Sequence, residues 1–128
     1  MENPKIEFEF RQKIITLKPP KSLATSMDFV SVWSSDIPRS HFSRLCAGAI
    51  SVSSPKGSGL PRYDISQGDP IAFGYGSLNA LLSSGVTPSR IYTVGSQLLA
   101  FMAKSIPTEE EIEEATNFSN PKEGESSD

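Results

Sequence analysis

The fold is decided by the stretch DPIAFGYGSLNALLSSGVTPSRIYTVGSQLLAFMAKSIPTEEEIEEATNF, residues 69–118, in which start and stop signals predict three consecutive helices. Asp69 is an N-cap residue followed by a proline at the first helical position, where the missing N–H costs nothing, and Thr87 repeats this arrangement. Gly85 suits the left-handed residue that ends a helix, and Pro107 stops the second helix because the residue before a proline disfavours helical backbone. The stretch therefore predicts architecture and contains no catalytic motif.

Apolar residues recur at helical spacing between these signals. They are Ile71, Tyr75, Leu78 and Leu82 in the first helix, and Ile91, Val94, Leu98, Phe101 and Met102 in the second. Residues 108–111 read Thr-Glu-Glu-Glu, a capping box in which the last glutamate reaches back to the N–H of the cap residue. The third helix has a narrow apolar stripe of Ile112, Ala115 and Phe118. We expect this short acidic helix either to dock in a groove of a partner or to cap the core of the domain.

The N-terminal part predicts a β-hairpin over residues 6–17. Residues 6–10, Ile-Glu-Phe-Glu-Phe, show the period-2 alternation of a half-buried strand, and residues 14–17 form a second β-prone run. Only Arg11, Gln12 and Lys13 lie between the two runs, so a tight turn is the simplest connection. Because a two-stranded hairpin is marginally stable by itself, we expect it to pack on the rest of the domain or to pair with another chain.

Two further helices are predicted before residue 51. Ser22 caps the first, which carries on one face Leu23, Met27, Val30 and Trp33. The second begins near Pro38, and one of its faces consists of Phe42, Leu45, Cys46 and Ala49. Trp33 is the single tryptophan, and it is interpreted either as an anchor of the core or as a contact to a partner, since a large ring with one polar tip suits both.

The predicted architecture is a single mainly α domain, an α+β fold with an N-terminal β-hairpin followed by about five short helices. The domain spans residues 1–118, with the helical body at 22–118. Residues 51–67 are rich in Ser, Gly and Pro and predict a long flexible loop. Residues 119–128 have no apolar side chain and predict a disordered tail.

Composition excludes several classes of protein. The chain of 128 residues has a net charge of −3 and a pI of about 5.2, which argues against a general nucleic-acid binder. No stretch approaches the roughly 18 consecutive apolar residues of a membrane span, and the N-terminus does not have the pattern of a signal peptide. With one cysteine, Cys46, no internal disulfide forms, so we expect a cytoplasmic protein.

Candidate catalytic and metal-binding residues are few. His41 is the only histidine, and it lies five positions before Cys46, so the two side chains point in different directions around a helix. One histidine and one cysteine leave only carboxylates as additional metal ligands. We therefore expect a buried Cys46, a surface His41, no metal or other cofactor, and no enzymatic activity.

Two glycines lie close together in the first predicted helix. Gly74 and Gly76 lack the preceding strand and the third glycine of a dinucleotide-binding loop, so they indicate instead that another backbone approaches the helix closely. The short turn between this helix and the next is also compatible with a helix-turn-helix motif, so a DNA-binding regulator stays an alternative interpretation. The polar residues that such a recognition helix would present to bases are Arg90, Gln97 and Lys104.

Taken whole, the layout resembles the small tail assembly chaperones of long-tailed bacteriophages. The features that carry this resemblance are a strand pair that ends in Leu-Lys-Pro-Pro at residues 17–20, a short helix, a mainly helical body, and the acidic segment at residues 108–118 with its trailing end. The resemblance covers most of the chain. It implies a protein without a catalytic site that binds the tape-measure protein in the host cell cytoplasm, keeps it soluble and recruits tail-tube subunits.

A protein with this role needs a partner-binding surface, for which the candidate residues are Trp33, Ile112, Ala115 and Phe118. A second copy of the chain is another candidate partner. A head–tail joining or neck protein of a phage fits the same layout, and it stays an alternative together with the DNA-binding regulator.

Overall fold

The structure, a computed structural model, describes residues 5–107, 110, 111 and 113–115. Its elements within residues 5–107 are a hairpin of β1 (Ile6–Phe10) and β2 (Lys13–Leu17), followed by α1 (Leu23–Trp33), α2 (Arg39–Val52), α3 (Pro70–Ser83) and α4 (Pro88–Ser105). Residues 110, 111 and 113–115 are helical as well. The predicted mainly α fold with an N-terminal hairpin is therefore confirmed. None of the helices in the described ranges is long and apolar enough to span a membrane.

The helix boundaries follow the signals in the sequence. The side chains of Ser22, Asp69 and Thr87 each accept a hydrogen bond from the backbone N–H three residues further on, as N-cap residues do. Gly85, just after α3, has a φ of 92°, and α4 ends two residues before Pro107. These capping and stop predictions are confirmed.

The hairpin turn consists of two residues, Arg11 and Gln12, which both have positive φ (53° and 67°). This is the geometry of a type I′ turn, in which glycine or asparagine is usual. Lys13 belongs to β2, where it pairs with Phe10. Contacts outside the turn hold Arg11, because its Nε donates a 3.3 Å hydrogen bond to Ser84 Oγ and its guanidinium lies 4.8 Å from the centroid of the Phe10 ring.

The hairpin packs on the helices through alternate residues. Phe8, Phe10 and Leu17 are buried in the core, whereas Glu7 and Glu9 point to solvent. The period-2 pattern of the first strand thus identifies its inner face correctly.

α2 lies at the centre of the helical body, with α3 and α4 on different sides of it. A Cβ placed on Gly74 of α3 would overlap the carbonyl oxygen of Arg44, and a Cβ on Gly95 of α4 would overlap Cys46. Arg44 and Cys46 are two positions apart, which is about 200° around a helix, so the contacts lie on nearly opposite faces of α2. The predicted close approach of a backbone is confirmed at Gly74, where the neighbour is α2, and is wrong at Gly76, where nothing described lies within 4 Å of an added Cβ.

Residues 53–69 connect α2 to α3 without a helix or strand. α2 continues to Val52, two residues into the predicted loop. Side chains of the connection contact the body: Leu60 is buried, and the Tyr63 hydroxyl donates a 2.7 Å hydrogen bond to Asp28 of α1. The flexibility of this loop stays a prediction, as does the disorder of residues 119–128, which lie outside the described residues.

Candidate protein-interaction surface

α3 presents an apolar stripe at its surface, which we call the α3 stripe. It consists of Ile71, Tyr75, Leu78 and Leu82. Tyr75 is 54% exposed and Leu82 is 43% exposed, whereas Ile71 and Leu78 are half-buried at the edge of the core. The spacing i, i+4, i+7, i+11 places all four side chains on one face of the helix. Apolar side chains that share one face and remain partly in water are a candidate for an interaction site on a soluble protein.

The packing of α3 on α2 explains why the stripe is left at the surface. The residues that α3 buries are Pro70, Gly74, Ser77 and Leu81, on a face centred about 100° away from the stripe. Gly74 admits the backbone of α2, and Ser77 Oγ accepts a 2.7 Å hydrogen bond from Ser51 Oγ of α2. Larger side chains on this face would separate the two helices. Gly74 and Ser77 therefore lie inside together with Leu81, and the side chains of the α3 stripe lie at the border and outside.

Arg44 of α2 lies beside the α3 stripe. Its guanidinium carbon is 5.0 Å from the centroid of the Tyr75 ring, which is a cation–π contact. This contact orients the exposed ring and places a positive charge at the border of the stripe. A partner that carries apolar side chains flanked by a carboxylate would match this combination.

The residues predicted from the sequence to bind a partner lie on other elements. Trp33, at the end of α1, is half-buried and packs against the core, while Ala115 is exposed in the helical residues 113–115. Ile112 and Phe118 lie outside the described residues. Partner binding by these four residues stays a prediction.

The exposed part of the α3 stripe is a candidate binding surface that the sequence pattern did not indicate. Its spacing identifies the helix but does not show which face is inside. The signal in the sequence is a second face with helical spacing, formed by Gly74, Ser77 and Leu81, because the two small residues on it allow close packing against a neighbouring helix.

Cys46 and Tyr63 are the titratable groups that burial affects most clearly. Cys46 is buried against α4, and this burial raises the pKa of its thiol to about 11, so that the reactive thiolate is scarce at neutral pH. Burial and the hydrogen bond to Asp28 raise the pKa of the Tyr63 phenol. His41 is half-buried. Within the described ranges, no group of three or more His, Cys, Asp or Glu side chains is placed to hold a metal ion.

The arrangement of α3 and α4 disfavours the helix-turn-helix alternative. The two helices contact α2 from different sides and have few contacts with each other. Arg90, near the start of the supposed recognition helix, is held on the hairpin, since its Nη2 donates a 3.1 Å hydrogen bond to the carbonyl oxygen of Glu7 and its guanidinium lies 5.8 Å from the Phe8 ring centroid. Reading a base edge would require Arg90 to leave both contacts.

Comparison with known protein families, with curated proteins and with solved structures finds no match to this chain. Its function is therefore inferred from its own surfaces.

Proposed function

We propose that this protein is a non-enzymatic binding factor that holds an α-helical segment of another protein along the α3 stripe. The observation that carries this proposal is the exposure of Tyr75 and Leu82 on a helix that packs on its neighbour through small residues. Complete burial of a large apolar side chain contributes about 1.5–3 kcal/mol, and about half of this is still to be gained at each of these half-exposed residues. A partner that covers the stripe recovers this free energy.

The geometry of the stripe favours a helix as its occupant. Its spacing is that of the a and d positions through which one helix packs its side chains against another. Arg44 adds a preference for a carboxylate next to the apolar side chains of the partner. The inferred partner segment is therefore an amphipathic helix with acidic residues at the border of its apolar face.

The resemblance to phage tail assembly chaperones supplies a candidate for the partner. In that role the protein binds the tape-measure protein, keeps it soluble and recruits tail-tube subunits in the cytoplasm of the host cell. A surface that covers apolar faces of helices suits the handling of a long helical chain before it is assembled.

Co-expression with the tape-measure protein of the same source tests this function. We expect the unaltered chain to keep the tape-measure protein soluble and to co-purify with it. The double substitution Tyr75→Glu and Leu82→Glu should weaken the complex about a hundredfold or more, because it removes two apolar contacts and places two charges in the interface.

The matched control is the double substitution Thr93→Glu and Gln97→Glu, which adds two charges at exposed positions of α4. It should bind like the unaltered chain, with unchanged helix content by circular dichroism. Equal binding by the stripe variant and the control would show that the α3 stripe is not the site. Recovery of portal or capsid proteins in place of the tape-measure protein would move the function to the head–tail joint.

A further inference from the structure

Positive and negative charge are divided unevenly along this chain. Residues 1–107, which include the hairpin and helices α1 to α4, contain eleven Lys and Arg against seven Asp and Glu, a net charge of +4 at neutral pH. Residues 108–128 contain one Lys against eight Asp and Glu, a net charge of −7. The body of the domain and the residues that follow it therefore attract each other, within one copy or between copies.

The acidic segment at residues 108–118 has the chemistry that the α3 stripe favours in a partner. Its residues 110, 111 and 113–115 are helical. In its sequence, Ile112, Ala115 and Phe118 share one face at helical spacing, and the other side chains include five glutamates and no basic residue. Apolar side chains with carboxylates beside them are what we infer for the occupant of the stripe.

Both apolar faces have exposed members in a single copy. Tyr75 and Leu82 of the α3 stripe are exposed, and Ala115 of the acidic segment is exposed as well. α3 has no charged side chain from Pro70 to Ser83, and Arg44 adds a positive charge beside Tyr75. Carboxylates that approach the stripe therefore meet a cation and, along α3 itself, no like charge.

The connection between α4 and the acidic segment is short for docking within one copy. α3 and α4 contact nearly opposite faces of α2, so their axes are about 16–20 Å apart if each lies 8–10 Å from α2. α4 ends at Ser105, and the chain from there to residue 108 spans at most about 11 Å. The segment of another copy has no such limit, so the geometry favours docking between copies.

We propose that the acidic segment of one copy binds the α3 stripe of a second copy. This inference rests on the proposed function of the stripe as a site for an amphipathic helix, and it names one occupant of that site. Ile112 and Phe118 cover the exposed side chains of the stripe, and carboxylates of the segment lie beside Arg44.

The two faces that meet in this contact are different, so the association is head-to-tail. A pair of copies keeps one free stripe and one free acidic segment, and further copies add to a chain or close a ring. A helix of a partner protein competes for the same stripe. Binding of the partner therefore takes these assemblies apart, and self-association keeps the stripe covered until the partner is present.

Sedimentation velocity of the full-length protein and of two complementary variants tests this proposal. The mean mass of the unaltered chain should rise with protein concentration and fall with added salt. The stripe variant (Tyr75→Glu and Leu82→Glu) and a segment variant (Ile112→Gln and Phe118→Gln, which keeps all charges) should each sediment as a monomer. An equimolar mixture of the two should form a one-to-one dimer, because the intact segment of the first fits the intact stripe of the second.

Two further variants control for charge. Thr93→Glu with Gln97→Glu, on the exposed side of α4, should assemble like the unaltered chain. Arg44→Gln should weaken assembly about threefold and reduce its salt dependence, because it removes the cation beside the stripe. Circular dichroism checks that every variant keeps its helix content.

Three results would overturn the proposal: an unaltered chain that stays monomeric up to about 1 mM, a segment variant that assembles like the unaltered chain, or a mixture of variants that stays monomeric. Capture of the tape-measure protein separates this inference from the proposed function. If the unaltered chain captures it but stays monomeric alone, only the self-association is wrong. If the copies assemble as expected but the stripe variant still captures the tape-measure protein, the self-association stands and the proposed function is wrong.

Discussion

Gly74→Ala and Gly76→Ala are expected to change the stability of the protein in opposite directions. The two glycines are two positions apart in α3, and each substitution contributes about 1 kcal/mol of helix propensity. At Gly74 the new methyl group would overlap the carbonyl oxygen of Arg44, so α3 must move away from α2. At Gly76 nothing described lies within 4 Å of the new Cβ.

The magnitudes follow from these two environments. Overpacking against a backbone costs about 1–3 kcal/mol or more. Moving α3 outward also weakens the bond between Ser51 and Ser77, which contributes about 1 kcal/mol. After the gain in propensity is subtracted, we expect Gly74→Ala to lower the free energy of unfolding by about 1–3 kcal/mol. We expect Gly76→Ala to raise it by about 1 kcal/mol.

Urea denaturation followed by far-ultraviolet circular dichroism measures both changes, and the unaltered chain is the common reference. The slope of the transition should be the same in all three proteins, so that midpoints report stability alone. A Gly74→Ala variant as stable as the unaltered chain would refute the close contact between α3 and α2. It would also show that the close packing of Gly74 and Ser77 against α2 does not explain why the α3 stripe is exposed.

Two further predictions concern the hairpin turn and the buried thiol. Gln12→Gly should raise the free energy of unfolding by about 1 kcal/mol, because Gln12 has a φ of 67° that glycine adopts without strain; an unchanged urea midpoint would contradict this. Burial raises the pKa of Cys46 from 9.0 to about 11, so the unfolded chain loses this proton at lower pH than the folded protein does. Stability should therefore fall by about 2 kcal/mol between pH 9 and 11 relative to the Cys46→Ala variant, and parallel curves of the two proteins against pH would contradict this.

Local chemistry made much of the fold predictable. Ser22, Asp69 and Thr87 cap helices because a short polar side chain reaches the free N–H groups of the first turn, and this depends on neighbouring residues alone. The turn type of the hairpin was not predictable in the same way. Arg11 and Gln12 lack the usual residues of a type I′ turn, and Arg11 is held in part by Ser84, which is 73 positions away in the sequence. Contacts at that distance leave no local pattern.

Hydrophobic periodicity alone did not predict that the α3 stripe is exposed. α3 has two faces with helical spacing, one of large apolar residues and one that includes Gly74, Ser77 and Leu81. Hydrophobicity alone favours burial of the first face. Close contact with α2 requires the second face, because Gly74 lets the two backbones approach, and the first face is then buried only at its edge, through Ile71 and Leu78. Tyr75 and Leu82 are therefore left exposed, and the surface on which the proposed binding depends follows from how two helices pack.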